Sequence, residues 1–103
     1  MDGYQYERHV AQKIKWRGFI FVKRIGKSGD YGADVVARDL LLRKVVIQCK
    51  HYSGKVGVSA VQQVIAAKQY YRASVAVVAT NSQLTRHARK LAERCGVKIW
   101  EHF

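Results

Sequence analysis

The sequence predicts an α/β fold, a three-layer sandwich on a mixed sheet. Three segments carry apolar residues at helical spacing, and five short runs rich in β-branched and aromatic residues fall among them. The run "VAVVA", Val75 to Ala79, is continuously apolar, which suits a strand covered on both faces, as in a parallel sheet.

Each element has its own signal. From Tyr4 to Arg17, the residues Tyr6, Val10, Ala11 and Ile14 form one helical stripe, and Gly18 closes it. "FIFVKRI", Phe19 to Ile25, reads as a strand, and "GKSGDYG" as a loop. "ADVVAR" and "KVVIQCK" read as two strands around the connection "DLLLR", so a hairpin turning near Leu41 and Leu42 is expected. After the loop "HYSGKVG", Val58 to Arg72 is a second helix with Val61, Val64, Ile65 and Ala67 inward. Val75 to Ala79 follows as a strand. Ser82 is the expected cap of a helix from Gln83 to Cys95, with the stripe Leu84, Ala88, Leu91, Ala92 and Cys95. Gly96 ends it and "VKIW" is the last strand. The order is αβββαβαβ.

The chain has 103 residues, enough for one domain (1–103) with one core. An apolar fraction of 49 % argues against disorder. With 19 Lys plus Arg against 7 Asp plus Glu, the formal charge is +12, which suits a polyanionic partner, nucleic acid before an anionic membrane surface. No run approaches the roughly 18 apolar residues of a membrane span. "MDGYQYERHV" lacks the apolar core of a signal peptide. Cys49 and Cys95 fall inside predicted elements without a CxxC or Cys/His zinc spacing, so both are expected as reduced thiols of a cytoplasmic protein.

The stretch "GDYGADVVARDLLLRKVVIQCK" carries the chemistry. Residues two apart on a strand share a face, so Gln48 and Lys50 point one way with Val46, and Val45, Ile47 and Cys49 point the other. If the hairpin turns near Leu41 and Leu42, Asp34 lies opposite residues 48–50, about 5 Å across the ladder. A carboxylate and an amide oxygen are hard ligands suited to Mg²⁺ or Mn²⁺, and a lysine beside them can stabilise charge on a reacting phosphate. Spacing alone equally allows an Asp34–Lys50 salt bridge at a strand end with Gln48 as a satisfied polar residue.

The order of elements and the residues "GDYGADVV…VVIQCK" resemble the Mrr-type branch of the PD-(D/E)xK nuclease superfamily, in which a glutamine commonly replaces an acid. Glu7 in "YERHVAQKI" matches the acid of the first helix. "VSAVQQV" resembles the next helix, with Gln62 at a polar position facing the site. "VAVVATNSQLTRHARKLA" resembles the strand and helix that follow, with Thr80 at the strand end. The resemblance implies a restriction-endonuclease-like αβββαβ core with an added helix and strand, and a metal-dependent DNA endonuclease. It implies catalytic roles for Glu7, Asp34, Gln48 and Lys50. Asp34, Gln48 and the backbone carbonyl of Cys49 would hold the Mg²⁺ or Mn²⁺. Lys50 would orient the attacking water, and Glu7 would reach that water or a second metal.

Asp30 reads either as an outer-shell group or as turn chemistry in Gly-Asp-Tyr-Gly. Lys23, Arg24 and Lys27 lie around the loop that leads into the site and, with His51 and Tyr52, are candidate DNA contacts. Further cations, Arg86, Arg89, Lys90 and Arg94, line the last helix. His9, His87 and His102 show no ligand spacing. The chain has no room for a separate target-recognition domain, so recognition is expected from a partner, from another domain or from a homodimer. Tyr70, Tyr71, Trp100 and Phe103 either face such a dimer or complete the core. Junction resolution, as in small archaeal resolvases of the superfamily, is the second reading. A catalytically silent DNA-binding module is the third.

Overall fold

The computed structural model describes residues 1–25 and 31–103; Lys27 and Asp30, singled out above, lie outside them. Its elements are α1 (Gly3–Trp16), β1 (Ile20–Arg24), β2 (Val35–Arg38), β3 (Lys44–Lys50), α2 (Val58–Tyr70), β4 (Val75–Thr80), α3 (Arg86–Cys95) and β5 (Lys98–Trp100). The strands form one sheet in the order β1-β2-β3-β4-β5. The β1–β2 and β2–β3 pairs are antiparallel, and the β3–β4 and β4–β5 pairs are parallel. The expected mixed sheet and three layers are therefore observed.

Alternation along β3 sorts the core into two halves. Val45, Ile47 and Cys49 pack with Tyr6, Val10, Ala11 and Ile14 of α1. Val46 packs with Val61, Val64 and Ala67 of α2 and with Ala88 and Ala92 of α3. All six residues of β4 are buried, as its continuous apolar run requires. Trp100 and Phe103 complete the monomer's own core on the α1 side. Trp100 meets Phe19 edge-on at 5.7 Å, Phe103 stacks on Trp100 at 5.1 Å, and Lys13 Nζ donates to the Phe103 carbonyl at 2.7 Å.

Helix ends depart from the expected ones where local caps compete. α1 begins at Gly3, not Tyr4, because Asp2 caps it. The Asp2 carboxylate accepts from Gln5 N, and the Gln5 side chain accepts from Asp2 N. α3 begins at Arg86 and not at Gln83. Its cap is Thr85, whose hydroxyl accepts from Ala88 N, instead of Ser82. Residues 83–85 stay out of the helix because Val56 and Leu84 form a bridge there. Cys95, expected on the buried stripe, is the exposed last residue of α3, and Cys49 is buried. Gly96 ends α3 in the left-handed region, φ +68°.

The two poles of the sheet differ. At the pole holding the β2–β3 turn, Asp39 accepts from the N–H groups of Leu41 and Arg43 and from Arg43 Nε. Leu40, Leu41 and Leu42 there are exposed. The opposite pole, where β3 ends and β2 begins, holds the polar residues.

Candidate active site

Register brings the sequence candidates together. Val35 pairs with Ile47 across the β2–β3 ladder, which sets Asp34 opposite Gln48. The Asp34 N–H still donates to the Ile47 carbonyl, at 2.8 Å. At the next position the side chain replaces the backbone: Asp34 Oδ2 accepts from Cys49 N at 2.8 Å. The chain before Asp34 thus leaves β3 and opens a fork at the sheet end. A strand residue's N–H and C=O point to the same side, so the Cys49 carbonyl faces this fork as well. A carboxylate offers about four acceptor positions, so accepting from Cys49 does not preclude a cation beside it.

Gln48 lies in the floor of the fork, 4 % exposed. Its Nε2 donates to Gln63 Oε1 on α2 at 3.0 Å, while its Oε1 has no hydrogen-bond partner among the described residues. A buried carbonyl oxygen left so costs about 1–3 kcal/mol, which a bound cation would offset. Lys50, two residues on and half-buried, shares this face and pairs with Thr80 of β4. Glu7 is half-buried on α1, against the other sheet face. Its charge is felt at Cys49 on that face: burial, then the charges of Asp34 and Glu7, push the Cys49 thiol well above its usual range, against a lowering by Arg24. Cys49 therefore stays a neutral thiol and offers the site its backbone alone. Among the described residues, no three His, Cys, Asp or Glu side chains gather as a metal cluster. An oxygen set of Asp34, Gln48 and the Cys49 carbonyl is the donor group present, and its chemistry fits Mg²⁺ or Mn²⁺.

One placement expected from the sequence is corrected. Gln62 is exposed in the groove between α2 and α3, beside Val58, His87, Lys90, Leu91 and Arg94, and Gln63 takes the position facing the site. The helical pattern carries the signal. At about 100° per residue, Gln62 lies opposite the stripe of Ala60, Val61, Val64 and Ala67, and Gln63 lies on its border. Asn81 has no such local signal. Its side-chain oxygen accepts from Tyr52 N at 2.8 Å and its Nδ2 donates to the Tyr52 carbonyl at 2.9 Å, fixing the chain just beyond Lys50.

The candidate DNA contacts separate by face. Tyr52 is exposed, its ring 6.0 Å from Lys50 Nζ, and Lys23 is exposed on β1. His51 turns to the α1 layer, its ring 5.3 Å from that of Tyr6, and Arg24 lies 4.2 Å over the Tyr4 ring. The loop before Asp34 is held down at Gly32, φ +90°, and by Tyr31 stacked on Tyr70 at 3.7 Å.

A family model, Mrr_cat, described as restriction endonuclease, matches residues 1–102, and the chain belongs to that family. No curated protein matches it in sequence. Among solved structures it is similar to a protein of unknown function, AF1548 (20 % identity, TM-score 0.80, 97 % of this chain and 58 % of that one). It is also similar to a repair endonuclease from Pyrococcus abyssi (22 %, 0.68, 98 % and 47 %) and to EndoMS in its apo form (19 %, 0.66, 92 % and 45 %). The chain thus spans about half the length of these structures, and the likeness shows a shared restriction-endonuclease-like fold.

A methyl group at Gly32 would lie 2.1 Å from the Gln63 carbonyl oxygen, on a backbone that L-residues rarely adopt. Gly32→Ala is expected to lower stability by about 2 kcal/mol or more in thermal unfolding. Gly54→Ala, with nothing within 4 Å, is expected to be near-neutral.

Proposed function

We propose that the chain is a Mg²⁺- or Mn²⁺-dependent DNA endonuclease of Mrr type, in which residues 1–103 form a single catalytic domain. The observation that carries this reading is the fork itself. Asp34 and Gln48 stand at facing positions of one sheet end, with Lys50 two residues on, and the buried Gln48 Oε1 has no partner among the described residues. DNA as the substrate is supported by the +12 charge, by the family and by EndoMS, which has been solved with double-stranded DNA. Free Cys49 and Cys95 suit a reducing compartment, so a cytoplasmic location is part of the reading. Among the described residues, no helix is long and apolar enough to cross a membrane.

Hydrolysis of a phosphodiester joins a water oxygen to phosphorus and breaks the bond to one ester oxygen. Asp34, Gln48 Oε1 and the Cys49 carbonyl would hold the divalent ion. When bound, the ion supplies Lewis-acid polarisation of the phosphate and a more acidic water. The Lys50 ammonium orients that water and offsets negative charge on the phosphorus oxygens as the new bond forms. Glu7, on the α1 side, would take up the water proton or help to hold a second ion. Because Gln48 is neutral, the protein's own ligands carry one charge fewer than an acid pair would, and the substrate phosphate supplies part of the missing negative charge.

Asp34→Ala and Lys50→Ala are expected to reduce metal-dependent cleavage of plasmid DNA at least about a hundredfold while circular dichroism shows the fold retained. Gln48→Glu is expected to keep part of the activity. Wild-type cleavage by a folded Asp34 or Lys50 variant would exclude this site.

Duplex binding by the Asp34→Ala protein is expected to weaken steeply with salt, log affinity falling linearly with log concentration, and random-sequence DNA is expected to compete well. A flat response, measured by fluorescence anisotropy, would contradict a phosphate-dominated contact. A four-way junction that outcompetes linear duplex would favour the resolvase reading.

Cutting both strands at once calls for two sites, and a homodimer is the simplest provider. The exposed leucine-rich pole is poorly placed for this. It lies about 20 Å from the site along β3, and a two-fold there would turn the sites apart. A dimer is therefore expected to pack beside the catalytic pole and to form on DNA. Sedimentation with and without duplex checks this; a monomer in both, with nicking only, would leave a nuclease that cuts one strand at a time.

A further inference from the structure

Gln48 poses a problem that an acid would not. The two ends of an amide are nearly the same size, so packing cannot tell oxygen from nitrogen, and only hydrogen bonds can. With the ends exchanged, Gln48 would turn an NH₂ group toward the fork, and an NH₂ group repels a cation. We propose that Gln63 is the positioning residue that sets the Gln48 amide, holding its nitrogen against α2 and its oxygen on the side of Asp34 and Lys50. The proposal rests on the metal-binding reading above.

The geometry supplies each part. Gln63 Oε1 accepts from Gln48 Nε2 at 3.0 Å, and the Gln48 oxygen is left buried without a partner among the described residues. Gln63 is exposed on the border of the α2 stripe, so its side chain is not needed to fill the core. The backbone of Gln63 is fixed independently, because Gly32 lets the chain before Asp34 lie directly against its carbonyl. The same helical residue thus touches the loop that delivers Asp34 and the amide across from it. A carboxylate at position 48 has no wrong end. Gln63 should therefore matter only while position 48 is an amide, which separates orientation from general structural support.

The test is Mn²⁺ binding to the DNA-free protein, followed by the electron paramagnetic resonance signal of free Mn²⁺. The proteins are the wild type, Gln63→Leu, Gln63→Glu, Gln48→Glu and the double variant Gln48→Glu/Gln63→Leu, each checked by thermal unfolding. Gln63→Leu is expected to weaken binding about tenfold. Gln63→Glu keeps an acceptor for Gln48 Nε2 and is expected to bind at least as tightly as the wild type. In the Gln48→Glu background, the Gln63→Leu change is expected to have no effect. An equal loss in both backgrounds, or no loss with Gln48 in place, overturns the positioning role and leaves the metal site standing. Absence of Mn²⁺ binding by the wild type removes the metal site and this proposal with it.

Discussion

The candidate site is built on one substitution of side chain for backbone. The antiparallel ladder between β2 and β3 ends at Asp34, and its next hydrogen bond, to Cys49 N, is made by the Asp34 carboxylate. This does two things at once. It satisfies a buried N–H that would otherwise be costly, and it anchors a carboxylate at the point where the strands part. A site built on strand ends in this way inherits the rigidity of the sheet, and its spacing is set by register instead of loop conformation.

The α2 layer supplies the rest of the wall. Its apolar stripe packs on Val46 and Val78, which leaves the next position along β3 on that face, Gln48, under the helix. The approach is close because Gly32 lacks a side chain, and Tyr31 stacked on Tyr70 holds the same segment further along the helix. On the other sheet face, α1 brings Glu7 to the Cys49 locality, while its Tyr6 ring packs against His51. Residues on successive positions of one strand end, His51 and Lys50, thus serve different layers, as strand alternation requires.

On the proposed reading, a neutral glutamine at position 48 changes what the pocket must provide. An acid would contribute charge and would be indifferent to which oxygen faces the ion. An amide contributes a dipole whose direction has to be enforced.

Local pattern alone places the element order, the two-sided burial of β4, the sorting of Val45, Ile47 and Cys49 from Val46, Gln48 and Lys50, and the pairing of Asp34 with the end of β3. Each follows from a period of two or 3.6 residues, which short-range sterics impose on any chain. The helical period also holds the choice between Gln62 and Gln63, since an angle of about 100° separates neighbours and only one borders the buried stripe. Features that depend on partners distant in the chain emerge only in the folded layers. The bridge from Val56 to Leu84 moves the α3 cap from Ser82 to Thr85, and Asn81 reaches across to Tyr52. Trp100 and Phe103 find Phe19 and Lys13 and so fill the core. Such contacts join residues that no local pattern relates, because they are selected by the packing of whole layers.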